Sequence, residues 1–63
     1  MPRFILKWFV NGQHGSQEFF EYEDASDTAN AIIKLNRYCY VCIYNGKNKV
    51  FSYEKLGSDE VMN

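Results

Sequence analysis

RYCYVCIYNGKNKVFSY, residues 37–53, is the stretch whose reading decides the fold. Cys39-x-x-Cys42 within it has the spacing of a redox or zinc motif, and the alternative is a plain β-strand. Composition favours the strand, because Tyr38 to Tyr44 is filled with aromatic and β-branched residues that suit a pleated, half-buried surface. Asn45-Gly46 then gives a short hairpin signal, and KVFSY returns as a further strand. On a strand, Cys39 and Cys42 are an odd number of residues apart and point to opposite faces, with Cα atoms about 10 Å apart. A disulfide needs less than about 7 Å. A redox pair would sit in a turn opening a helix, whose dipole lowers a thiol pKa, and no helix start follows Cys42. Zinc needs three or four converging ligands, and the lone histidine, His14, lies in a distant turn. No metal and no cofactor is expected within one chain. Cys39 reads as a small core residue, and an intersubunit bond through Cys42 stays open.

Upstream, Phe4, Leu6, Trp8 and Val10 alternate with Arg3, Ile5, Lys7 and Phe9, a period of two that reads as a strand with one apolar face. NGQHGS, Asn11 to Ser16, clusters turn formers, and QEFFEYE, Gln17 to Glu23, is expected as the second strand. The period then changes. Ala25, Ala29, Ile32, Ile33 and Asn36 share a stripe at helical spacing, which predicts a helix of about three turns. Asp24 or Ser26 would cap it, with Asp27 at the positive end of its dipole and Lys34 and Arg37 at the negative end.

Two hairpins joined through a helix predict an α+β fold, ββαββ, with a four-stranded antiparallel sheet and the helix on one face. Phe4, Leu6, Trp8 and Val10 would meet Ala29, Ile32, Ile33, Val41 and Ile43 in the core. A chain of 63 residues allows one domain, expected over residues 1–54, with residues 55–63 a weakly ordered tail. A core this small supplies about 3 to 5 kcal/mol, so a partner subunit or target is plausible from size alone. There is no room for a deep pocket, and no small-molecule substrate is expected. Lys7 interrupts the apolar MPRFILKWFV and no small-residue cleavage site follows, so a signal peptide is not expected. No segment approaches the roughly 20 apolar residues of a membrane span, and the expected compartment is a cytoplasm where both cysteines stay reduced.

The same alternation sets Tyr38, Tyr40, Cys42 and Tyr44 opposite Val41 and Ile43, on a face no helix covers. Phe9 and Ile5 join them from the first strand, and Phe19 does so if the hairpin turns Phe20 inward. A two- or four-residue loop at Asn45-Gly46 would add Phe51 and Tyr53 to this face, and a three-residue loop would turn them inward. A contiguous aromatic face of this size is larger than monomers usually leave exposed, and Tyr is a residue of interface hot spots. The expected site is therefore Tyr38, Tyr40, Tyr44, Phe9 and Phe19. The first expected partner is a protein, as a target, as a second copy in a dimer, or both. Single-stranded nucleic acid comes second, because aromatic platforms stack bases and Lys47 and Lys49 could hold phosphate. Against it, no Lys or Arg interleaves with the tyrosines on their own strand, and net charge is −1.

Glu18, Glu21, Glu23, Asp24 and Asp27 form an acidic group. One reading is imitation of nucleic-acid phosphates, and the plainer one is a solvated strand edge beside a favourable helix start. No G-x-S-x-G, P-loop or zincin spacing occurs, so an enzyme is not expected. The functional expectation is a small non-catalytic binder, of the kind phages and mobile elements use to inhibit or bridge larger host proteins.

Overall fold

Asn11 and Gly12 take φ of 53° and 80°, the two positive values a type I′ hairpin turn requires. The chain therefore reverses over two residues, and the second strand begins at once. The structure, a computed structural model, describes residues 3–56. Its elements are β1 (Phe4–Val10), β2 (Gln13–Phe19), α1 (Tyr22–Leu35), β3 (Cys39–Asn45) and β4 (Asn48–Lys55). All strand pairs are antiparallel in one sheet of order β2-β1-β3-β4, so the ββαββ expectation holds. β2 and β3 both run antiparallel to β1 and hence parallel to each other. The connection between them crosses β1, which lays α1 over the middle of the sheet.

The second strand differs from the sequence reading, which set it at Gln17 to Glu23. His14, Gly15 and Ser16 look like turn residues, yet they pair with Phe9, Trp8 and Lys7 inside the β1–β2 ladder. Gly15 is required there for its lack of a side chain, because a Cβ at that position would run into the Trp8 indole. Tyr22 then opens α1, with Glu21 as its N-cap, although no side chain caps the start and the expected Asp24 and Ser26 lie inside the helix. The Phe4 and Tyr22 rings meet edge to face, 5.7 Å between centroids, and tie the helix start to β1. At the other end the Asn36 side chain donates to the Ile32 carbonyl and Lys55 Nζ donates to the Ile33 carbonyl, both at 2.8 Å. These two bonds satisfy carbonyls that the last turn cannot pair internally.

The core consists of Leu6 from β1, Val41 and Ile43 from β3, and Ala25 and Ala29 from α1. Phe4, Trp8, Phe19, Ile32, Ile33 and Phe51 pack around it. The two alanines let the helix approach the sheet closely. α1 rests mainly on β3, β1 and β2, and its contact with β4 is the sparsest.

The β3–β4 turn has Gly46 and Lys47 at its centre, with Gly46 at φ 66°, the positive first position of a II′ turn. A two-residue loop alone would send Phe51 outward. A bulge between Ile43 and Tyr44 admits Val50 as an extra residue, so Phe51 pairs with Ile43 and Tyr53 with Val41 on the helix side. β4 runs one residue past the expected domain edge at 54. The expected tail lies, from residue 57 onward, outside the described residues.

Candidate binding surface on the open sheet face

Leu6, Val41 and Ile43 face the helix, so β1 and β3 turn Ile5, Lys7, Phe9, Tyr40, Cys42 and Tyr44 to the other side. The pairings arrange this outer face as three rows across β2, β1, β3 and β4. The first row is Glu18, Ile5, Tyr44 and Lys49; the second is Ser16, Lys7, Cys42 and Ser52; the third is His14, Phe9, Tyr40 and Glu54. Apolar and aromatic groups fill the two central columns of the outer rows, and polar groups fill the edge strands.

Lysines enter the tyrosine surface from neighbouring strands. Lys7 Nζ lies 5.2 Å from the Tyr44 ring centroid. Lys49 Nζ lies 5.9 Å from the Tyr44 centroid and 6.0 Å from that of Tyr40, and donates to the Tyr40 hydroxyl at 3.3 Å. That hydrogen bond is the main influence holding the Lys49 pKa above its ordinary value, with the Tyr40 and Tyr44 charges adding to it. The sequence reading found no cation beside the tyrosines on their own strand, and that holds. Lys49 is a cation the sequence already offers to the tyrosine platform; Lys7 is not, because only lateral register brings it there from β1, far away in sequence.

Of the five aromatic residues expected on this face, Phe9, Tyr40 and Tyr44 are in its rows. Phe19 is not: it pairs with Phe4 on the helix side and packs against the core. The expected placement of Phe19 outward required Phe20 to turn inward, whereas the strand ends at Phe19 and Phe20 stands exposed beyond it. Tyr38 precedes β3 and is 56% exposed, beside a shallow groove at the sheet end lined by Phe9, Tyr40 and Glu54. Phe9 and His14 meet at 4.5 Å between ring centroids in the third row.

The acidic residues divide between two places. Glu18 lies on the sheet face and accepts a hydrogen bond from the Arg3 guanidinium at 3.1 Å, an exposed pair worth about 0 to 1 kcal/mol. Glu21, Glu23, Asp24 and Asp27 are exposed at the start of α1, where Glu23 and Asp24 occupy the first turn. Charge reversal at Glu23 and Asp24 is expected to destabilise the helix by about 0.3 to 1 kcal/mol each at low salt, read as a drop in melting temperature that added salt erases.

Cys39 faces the core and Cys42 the outer face, and both thiols are free and buried, Cys42 at 4% exposure. Cys42 lies between Lys7 and Ser52 across the sheet and between Tyr40 and Tyr44 along its strand, which accounts for burial on the face opposite α1. Among the described residues, no three His, Cys, Asp or Glu side chains converge as a metal site. Folded protein should therefore react slowly with an aromatic disulfide reagent at both thiols, and denaturant should release two fast equivalents. A fast equivalent in native buffer would show Cys42 open to solvent.

No helix among the described residues is long and apolar enough to cross a membrane. The arrangement defines a small open-faced α+β sandwich with a lysine-studded aromatic surface. Comparison with family models, curated proteins and solved structures finds no match for the chain.

Proposed function

We propose that this chain is a non-catalytic protein-binding module of the cytoplasm that docks on another protein through the open face of its sheet. Phe9, Tyr40 and Tyr44, brought together on the two central strands of the face opposite α1, carry this reading. Aromatic side chains with a polar tip supply large contact area at low entropic cost, which is why they anchor interfaces. The carboxylates at the start of α1 flank the module and would steer its approach to a basic region of a larger target, in the manner of a small inhibitor or adaptor.

A second reading, single-stranded nucleic acid, is favoured by Lys7 and Lys49 beside the tyrosines. Glu18 and Glu54 at two corners of the same face oppose a continuous phosphate backbone, so the mixed-sign surface favours a protein. A photo-crosslinking residue at Ser52 in the producing cell tests both, with one at Asn30 on the helix as control. A protein adduct at 52 and none at 30 is expected. Adducts to nucleic acid at 52, or none at all, would overturn the protein reading.

A further inference from the structure

The outer face is its own complement. We infer that the sheet face binds a second copy of this chain, related by a two-fold axis that lies between the two sheets and runs along the strands between β1 and β3. This rests on the proposed protein-docking role of the face and names the partner.

The three rows of the face match themselves across this axis. Such an axis exchanges β2 with β4 and β1 with β3 while keeping each row in place. In the first row, Glu18 then faces Lys49 of the second copy, and Ile5 faces its Tyr44. In the third row, His14 faces Glu54 of the second copy, and Phe9 faces its Tyr40. In the second row, Ser16 faces Ser52 and Lys7 faces the small Cys42. Each contact occurs twice, as an isologous interface requires. Glu18, which also accepts from its own Arg3, meets Lys49 at one corner, the His14 ring offers an N–H to the Glu54 carboxylate at the other, each in duplicate, and the aromatic columns pack on each other. Aligned sheets cross at about 30°, which displaces a corner by about 5 Å, within the reach of Lys and Glu side chains.

The alternative two-fold axis, across the strands, places Lys7 on Lys7 and Cys42 on Cys42. Its central like charges disfavour it. In the favoured arrangement Lys7 faces the small Cys42 of the second copy, the second copy's Lys7 lies one strand spacing to the side instead of directly opposite, and each ammonium is drawn onto its own Tyr44 ring, 5.2 Å from the centroid. Four strands spaced at about 4.8 Å and seven residues at about 3.4 Å give a footprint of about 450 Å² per copy. Both copies together give about 900 Å², below the standard size of about 1,200 to 2,000 Å² and in the class of weak, transient interfaces, so the dimer should form between micromolar and millimolar concentration and dissociate on dilution.

Sedimentation of the purified chain from about 1 μM to 1 mM, with reductant present, tests this. A concentration-dependent dimer is expected. Lys49→Glu or Glu18→Lys should each weaken it at least tenfold, and the double variant K49E/E18K should restore it to within about threefold. Lys34→Glu, on the exposed side of the helix, should leave it unchanged, and circular dichroism verifies that every variant folds. A monomer throughout overturns the proposal, as does rescue of Lys49→Glu by Glu54→Lys and not by Glu18→Lys, which belongs to the other axis. The Ser52 crosslink keeps the two claims apart. An adduct of twice the chain mass, joined near Ser16, supports the dimer, whereas an adduct to a larger protein from a strict monomer overturns the dimer and leaves the protein-docking role standing.

Discussion

Leu6→Ala should leave little folded protein at room temperature, as read by circular dichroism and urea titration. Leu6 is fully buried at the middle of β1, a central strand, and among the described residues it is one of three large side chains with no exposure, the others being Val41 and Ile43. Removing its branched end costs the transfer energy plus the cavity left behind, about 2 to 5 kcal/mol. The core partners beneath it include Ala25 and Ala29, which have no side-chain length with which to fill the gap. A domain of this size holds about 3 to 5 kcal/mol in total, so the loss is comparable to the whole stability. Ile43→Val, at about 0.5 to 1.5 kcal/mol, should fold and melt lower. A cooperative Leu6→Ala melt within a few degrees of the parent would mean that the helix settles onto the sheet and closes the cavity.

Gly15→Ala should also destabilise, although alanine for glycine in a strand ordinarily removes unfolded-state freedom and helps. The added methyl collides with the Trp8 indole, which lies against the glycine from the adjacent strand. Trp8 is half-buried and packed against the core, so its ring can yield only by leaving its place. The expected cost is about 1 to 3 kcal/mol, the usual range for overpacking. Trp8 is the single tryptophan, so its fluorescence reports the displacement directly, with a red shift expected in the folded variant. Trp8→Leu should relieve the conflict, making the double variant less destabilised than the two single changes predict by addition. Strict additivity would show that the ring and the glycine do not constrain each other.

The periodicity of Phe4 to Val10, the aromatic density of Tyr38 to Tyr44 and the helical stripe from Ala25 to Ile33 each carried enough local signal to identify β1, β3 and α1. β2 carried less. Its alternation is interrupted by Gly15, and Gln13, His14 and Ser16 are as common in loops as at a sheet edge, so the apolar Phe19 and Phe20 drew the expected strand too far along the chain. The reason for Gly15 is the Trp8 ring, seven residues earlier, which becomes its neighbour only once the hairpin is closed. The inward direction of Phe51 and Tyr53 was hidden in another way. The Gly46-Lys47 turn obeys the two-residue rule, and the bulge at Val50 then reverses its consequence. At the surface, Tyr40 and Tyr44 followed from alternation alone. Lys49 was legible as a nearby cation through the Asn45-Gly46 hairpin, but Lys7 was not, because its position depends on β1 becoming the neighbour of β3.

That β1 is central and β3 lies beside it bears on how the chain emerges during synthesis. The β1–β2 hairpin can close in about 1 to 10 μs once Phe19 is free. The other edge of β1, with Phe4, Leu6 and Trp8 on one side and Ile5 and Phe9 on the other, has no partner until β3 is made roughly 30 residues later, about 2 to 6 s at about 5 to 20 residues per second. During that interval the nascent chain presents an unpaired apolar strand, the template on which edge-to-edge aggregates grow. The arrival of Cys39 to Asn45 is thus the event that commits the chain to its own sheet, and variants that slow it should lose yield in the cell before they lose stability in the test tube.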